Sequence, residues 1–187
     1  QPALLVWAAD RSSHPGWRYD EVPALREAIA AAAPGLLALS ELQRDATRDD
    51  GGLAATPELL ERALALVETH PRLAAAWRTA VVLHNVAGRR EEAIDLARRG
   101  TTEAPQSAIL HQLLAELLIQ AGRPADARLA LATLAELPDH DPRRVAILEA
   151  ESALALGDAD GAIEAVGLLE AGDPDATAIR AAANLDL

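Results

Sequence analysis

The chain has 187 residues, half of them apolar, and a formal net charge of −12. It therefore has enough apolar residues to bury a core, while the absence of Cys excludes disulfides, thiol chemistry and Cys-based metal sites. The acidic excess argues against nucleic-acid binding, which needs a basic surface that displaces counterions.

Ala and Leu dominate the apolar residues, and aromatic residues make up 2%. Ala and Leu lose little rotamer freedom in a helix, whereas the β-branched and aromatic residues that strands favour are scarce, so we expect an all-α protein. No apolar run approaches the roughly 20 residues that span a bilayer. The chain begins at Gln1 without a Met or a signal-like segment. We therefore expect a processed or excised piece, and its compartment, cytoplasmic or periplasmic/secreted, stays open.

The first predicted hairpin spans residues 3–36. Residues 16–22 are typical of the turn of a helical hairpin, and we expect its second helix to end at Pro34, because Pro cannot continue a helix. Trp7, Trp17 and Tyr19 cluster near the N-terminus, and they either anchor a partner or pack between helices.

The second predicted hairpin spans residues 37–73, with helices near 36–47 and 57–69. Its middle, residues 47–52, is rich in Asp and Gly and predicts a loop. The exact register of residues 37–56 stays open.

The later hairpins share one turn sequence, in which a Gly is followed five residues later by an Ala. The glycines are separated by 34 and 35 residues and are Gly88, Gly122 and Gly157. Such a Gly supplies a left-handed helix C-cap, and Pro124 suits the first turn of the helix after it. Apolar spacing predicts helices over 108–121 and 124–136, and one last helix over 175–184. Prolines recur between the hairpins, as Pro34, Pro71, Pro105, Pro138 and Pro174.

In the spacing of its repeated turns and in the residue types at fixed positions of each repeat, the sequence resembles the tetratricopeptide repeat family. Numbered from Ala74, the third repeat has the family's residue types at positions 4, 15, 20 and 32, which are Trp77, Gly88, Ala93 and Pro105. The sequence departs from the pattern at Val81, where the family has a small residue, and at Ala146, where it has a bulky one.

The resemblance implies a right-handed superhelical solenoid of antiparallel helical hairpins, forming a single domain over residues 1–187. Its repeats would be about 3–36, 37–73, 74–107, 108–142 and 143–176, with a C-terminal helix over 177–187.

The resemblance also implies a protein-interaction scaffold that holds a partner segment in its concave groove. The family lines that groove with first-helix residues, which here gives the candidates Trp7, Arg11, Arg44, Arg48, Arg78, Val82, Asn85, Gln112, Glu116 and Gln120. Four of these are Arg, the residue suited to bidentate capture of carboxylates, so an acidic segment or chain terminus is one expected ligand. The alternative is that these Arg side chains are solvated or pair with nearby Asp45, Asp49 and Asp50. The fifth repeat adds Arg144, Ile147, Glu151 and Leu154 to the groove.

No catalytic motif is present, and we expect neither an enzyme nor a cofactor. The chain lacks the Lys of a phosphate-binding loop, and it has no His-Glu-x-x-His or Gly-x-Ser-x-Gly. His84 and His111 fall at packing positions of the repeat, and the acidic segments 45–51 and 139–141 lack the pattern of a metal site. The carboxylate clamp that binds chaperone tails is also missing.

Three functional settings stay open. Some bacterial members of the family act in the assembly of cell-envelope or polysaccharide-export machinery. This chain could have such a role, or it could be a recruiting or regulatory module excised from a larger enzyme. A third alternative is a self-associating structural unit, because an uncapped solenoid tends to stack.

Overall fold

The computed structural model of the chain describes residue 27, residues 30–170 and residues 172–185. Trp7, Trp17 and Arg11, with most of the first predicted hairpin, lie outside the described residues. Besides the helical residues 27 and 30–32, the described residues form nine α-helices. These are α1 Pro34–Ala46, α2 Pro57–Thr69, α3 Ala74–Val86, α4 Arg90–Glu103, α5 Ala108–Gln120, α6 Pro124–Glu136, α7 Pro142–Ala155, α8 Ala159–Ala165 and α9 Pro174–Leu185. A 3₁₀ turn, Val166–Leu168, extends α8. The predicted all-α class of helical hairpins is confirmed.

The chain divides into two compact units, an N-terminal unit of residues 1–89 and a C-terminal unit of residues 90–187. In the N-terminal unit α2 packs against both α1 and α3, and α1 also contacts α3. In the C-terminal unit each helix from α4 to α9 packs against the next one along the chain. There α7 also contacts α5 on one side and α9 on the other. The first helices of successive hairpins therefore lie side by side.

The three repeated turns have the same backbone geometry. Gly88, Gly122 and Gly157 have φ of 76°, 70° and 76°, the left-handed conformation that favours Gly. In each turn the N–H of the residue after the Gly donates to a carbonyl five residues earlier, at 2.9, 2.8 and 2.9 Å. This is a Schellman cap, which satisfies the carbonyls at the end of the first helix and turns the chain into the second.

A fully buried alanine follows each repeated turn. The Ala five residues after each repeated Gly is 0% exposed, as Ala93, Ala127 and Ala162. Larger side chains fill the rest of the core, with Leu118 and Leu131 at 2% and 1% exposure. A side chain larger than Ala at the close contacts would force the helices apart.

One hydrogen bond recurs at position 4 of the repeats. Trp77 Nε1 donates to the carbonyl of Pro71 at 2.6 Å. His111 takes the same place one repeat later, and its Nε2 contacts the carbonyl of Pro105 at 3.1 Å. Since a carbonyl only accepts, this contact places the His111 proton on Nε2. Ala146 has no such donor. The predicted packing role of the two histidines is confirmed, because His84 is also buried and its Nδ1 contacts the Ala80 carbonyl at 2.8 Å.

Several prolines begin helices. The helix before Pro34 ends at residue 32, close to the predicted end, and Ala33 separates it from α1. The next helix starts at Pro34 itself, two residues before its predicted start near residue 36. Pro174 likewise begins α9. The first residue of a helix suits Pro, because its missing N–H would have no partner there.

The acidic segments 45–51 and 139–141 have structural roles. Asp141 caps α7 by accepting from the backbone N–H of Arg143 at 3.0 Å. Asp50 accepts from the N–H of Gly52 at 2.9 Å, inside the predicted loop. In the described part of the chain, no three His, Asp or Glu side chains are grouped to hold a metal ion.

Candidate interaction surface

The N-terminal unit exposes one side of α3. Arg78, Val82 and Asn85 lie four and three residues apart, which places them on the same side of the helix. Arg78 is exposed, whereas Val82 and Asn85 are half-buried. We call these three residues the α3 face.

Two of the other predicted Arg residues have partners close in sequence. The Arg44 guanidinium lies 3.4 Å from Asp45, and the Arg48 guanidinium lies 3.9 Å from Asp50. Arg62 on α2 donates a hydrogen bond to Asp45 at 2.9 Å. That bond is the main cause of the lowered pKa of Asp45, to which the Arg44 charge adds, against a smaller opposing effect of burial. The carboxylates here are thus already shared among the protein's own cations.

Arg78 differs from Arg44 and Arg48. Within the described ranges it forms no ion pair, and its side chain is exposed. Arg72, in the turn between α2 and α3, shares both properties but lies outside the α3 face.

In the C-terminal unit a polar network joins two first helices. Gln112 on α5 donates to Glu116 Oε1 at 2.9 Å. Arg144 on α7 donates from two nitrogens to the same oxygen, at 3.0 and 2.7 Å. The Glu116 side chain is only 19% exposed, so the pair is partly shielded from water and screened less than a surface pair.

Glu151 is the counterpart of Glu116 one repeat later, but its surroundings are different. It forms no ion pair with any described residue. Partial desolvation raises the pKa of the Glu151 carboxyl, the Arg144 charge lowers it, and the charges of Glu116 and Asp175 raise it further. The Glu151 side chain is exposed, and the cation that acts on it most, Arg144, already pairs with Glu116.

Apolar side chains lie beside these charges. Ile119 on α5 and Leu154 on α7 are half-buried, and Ile109 is 38% exposed. Ile147, which the repeat register assigned to the groove, is instead 2% exposed and packs in a cluster with Ile179 of α9. The last helix covers this position, so it is part of the core. We call Gln112, Glu116, Ile119, Gln120, Arg144, Glu151 and Leu154 the α5–α7 face.

Two of the contacts that sequence reasoning missed join the first helices of successive hairpins. One is the pairing of Arg144 with Glu116, which occupy positions 2 and 9 of successive repeats. The other is a hydrogen bond from Gln43 Nε2 on α1 to Thr79 Oγ1 on α3, at 3.0 Å. The opposite charges gave a signal for the first pair, whereas the second pair is neutral and gave none.

Comparison with known proteins agrees with the repeat analysis. The sequence model of the tetratricopeptide repeat matches residues 86–152. The crystal structure of a thermophilic TPR protein from Thermus thermophilus superposes with a TM-score of 0.55 at 20% identity, covering 98% of this chain and 96% of that one. A comparison with curated protein sequences found no match. Among the described residues, no helix is both long and apolar enough to cross a membrane.

Proposed function

Residues 86–152 belong to the tetratricopeptide repeat family and the chain has the fold of that family, and from this premise we propose that its first helices hold a segment of a partner protein. Tetratricopeptide repeats are protein-interaction scaffolds. A hairpin cannot cover its own apolar face, so stacked repeats leave the outward side of the first helices free for a ligand.

The observation that supports this proposal most directly is the α3 face. Arg78 has no carboxylate partner among the described residues, although the chain carries a large acidic excess. Beside it, Val82 offers apolar contact and Asn85 offers an amide that both donates and accepts. An extended acidic segment or a chain terminus fits this set, with a carboxylate at Arg78 and its backbone at Asn85.

Of the predicted groove Arg residues that the structure describes, Arg78 is the one without a described carboxylate partner. Arg44 and Arg48 would have to leave Asp45 and Asp50 to bind a ligand, and these exposed pairs are weak enough to exchange. We propose that they add long-range attraction, while Arg78 makes the direct contact.

A selection from a library of random 12-residue peptides, displayed on phage and panned on the full chain, tests this. Selected acidic peptides are then resynthesised and measured by fluorescence polarisation against Arg78→Ala and Arg72→Ala. Loss of one charge-assisted hydrogen bond predicts about tenfold weaker binding for Arg78→Ala and no change for Arg72→Ala. Equal affinities for the two variants would remove Arg78 from the site.

We further propose that the chain has no catalytic activity of its own. It would bring a partner to an assembly, such as one of the cell envelope or of an export system, or to an enzyme of which it is a recruiting module. Co-purification with a tagged full chain, lost with Arg78→Ala and kept with Arg72→Ala, would identify that assembly.

A further inference from the structure

The α5–α7 face contains a charge that the repeat pattern leaves without a counterion. Glu116 and Glu151 both occupy position 9, in the fourth and fifth repeats. Glu116 is neutralised by Arg144, the third residue of the next first helix, α7. The third residue of α9 is Ala176, which is 0% exposed and carries no charge. The cation present in one repeat is therefore missing from the next.

The neighbouring side chains do not replace that cation. The Arg144 charge lowers the pKa of Glu151, but two of the Arg144 nitrogens already donate to Glu116. Asp175, the second residue of α9, is acidic, and it accepts from Arg143 at 2.6 Å. Arg143 also donates to Asp173 at 2.8 Å. Both basic residues at the start of α7 are thus held by other carboxylates.

The surface beside Glu151 suits the rest of a basic side chain. Leu154 is half-buried and lies three residues further along α7, on the same side of the helix. Long basic side chains lay their methylene stems along apolar surface and place the charged end on a carboxylate. An acidic group next to apolar surface is therefore complementary to Arg or Lys, and it opposes an acidic ligand.

We infer that the α5–α7 face docks a partner segment that supplies an Arg or Lys side chain to Glu151. This inference rests on the proposed function and adds the partner's chemistry at the C-terminal unit, where the segment that meets Glu151 carries a basic residue. The raised pKa of Glu151, caused first by desolvation, is consistent with a carboxyl that gains from a cation.

The same random-peptide selection on the full chain provides the probes. Selected peptides are sorted by whether they contain Arg or Lys, and the basic ones are resynthesised with citrulline or norleucine in place of the basic residue. Affinities are measured by fluorescence polarisation against the wild type, Glu151→Gln and Glu149→Gln. Glu149 is the matched control, because it is an exposed Glu on the same helix, two residues away, and faces another side.

We expect basic peptides to bind about tenfold more weakly to Glu151→Gln, and equally well to Glu149→Gln and the wild type. The citrulline and norleucine peptides should bind all three proteins equally. Equal losses in the two Gln variants would overturn the inference, because the effect would then be general electrostatics. Saturable binding of Ca²⁺ alone that is lost in Glu151→Gln would also overturn it, by assigning Glu151 to a metal.

The outcome separates this inference from the proposal on which it rests. Peptides sensitive to Arg78→Ala but indifferent to Glu151→Gln would leave the scaffold function standing and refute the basic ligand. Selected peptides indifferent to both substitutions would refute both.

Discussion

Replacing Gly122 with Ala isolates the backbone cost of the repeated turn. Gly122 has φ of 70°, and a Cβ built on it meets no atom within 4 Å. The substitution therefore adds no clash, and its effect comes from the left-handed conformation. An L-residue pays about 1–2 kcal/mol there. Ala also lowers the entropy of the unfolded chain, which returns about 0.4–1 kcal/mol, so we expect the free energy of unfolding to fall by about 1 kcal/mol.

Urea unfolding followed by circular dichroism measures this change. The midpoint should fall while the slope with denaturant stays constant, because the buried surface is unchanged. Gly167→Ala is the control, since Gly167 also has no atom within 4 Å of a built Cβ but does not have a positive φ. That variant should be unchanged or slightly stabilised. Similar losses in both variants would show that the turn conformation is not the cause.

Substitutions at three further positions test the packing and the charges. Trp77→Phe removes the donor to the Pro71 carbonyl and should lower the unfolding free energy by about 1 kcal/mol in urea titrations; an unchanged midpoint would mean that water replaces the bond. Glu151→Gln should gain stability over the wild type as pH rises above 4.5, because a raised folded-state pKa makes the wild type lose stability through that window. Parallel stability curves between pH 4 and 8 would contradict this. Asp173→Asn should be less stable than the wild type at neutral pH and equal to it in strong acid, because the pKa of Asp173 is lowered, first by Arg143. Asp173→Ala should keep a deficit in acid, since it also loses the acceptor for two backbone N–H groups at the start of α9.

The repeated turn made most of the helix positions predictable. A Gly at a fixed distance from a small residue specifies both the C-cap and the close helix contact, so helix α6 was predicted over its observed range, 124–136. The start of α1 was predicted near residue 36 and lies at Pro34, because Pro is compatible with both the end of one helix and the start of the next. The residue type alone does not distinguish the end of a helix from the start of one, because the packing of the neighbouring helix determines which of them forms.

The interaction surface was less predictable, because side chains choose partners across helices. Family register put Ile147 in the groove, but the packing of α9 buries it. Repeat register also assigned both Arg44 and Arg78 to bind the ligand. In the structure Arg44 lies beside Asp45, whereas no described carboxylate pairs with Arg78. Which charges remain available depends on distances that one-dimensional spacing does not contain.

The short range of the helix contacts bears on how such a protein changes in evolution. In the C-terminal unit, helices contact neighbours one or two places along the chain, and each hairpin brings its own glycine turn and buried Ala. Duplication of a gene segment that encodes one hairpin would add a hairpin that already packs against the ones beside it. Binding specificity can then diverge through changes in the outward residues of one copy, such as Glu116 or Glu151, while the glycine turn and the buried Ala of each copy stay unchanged.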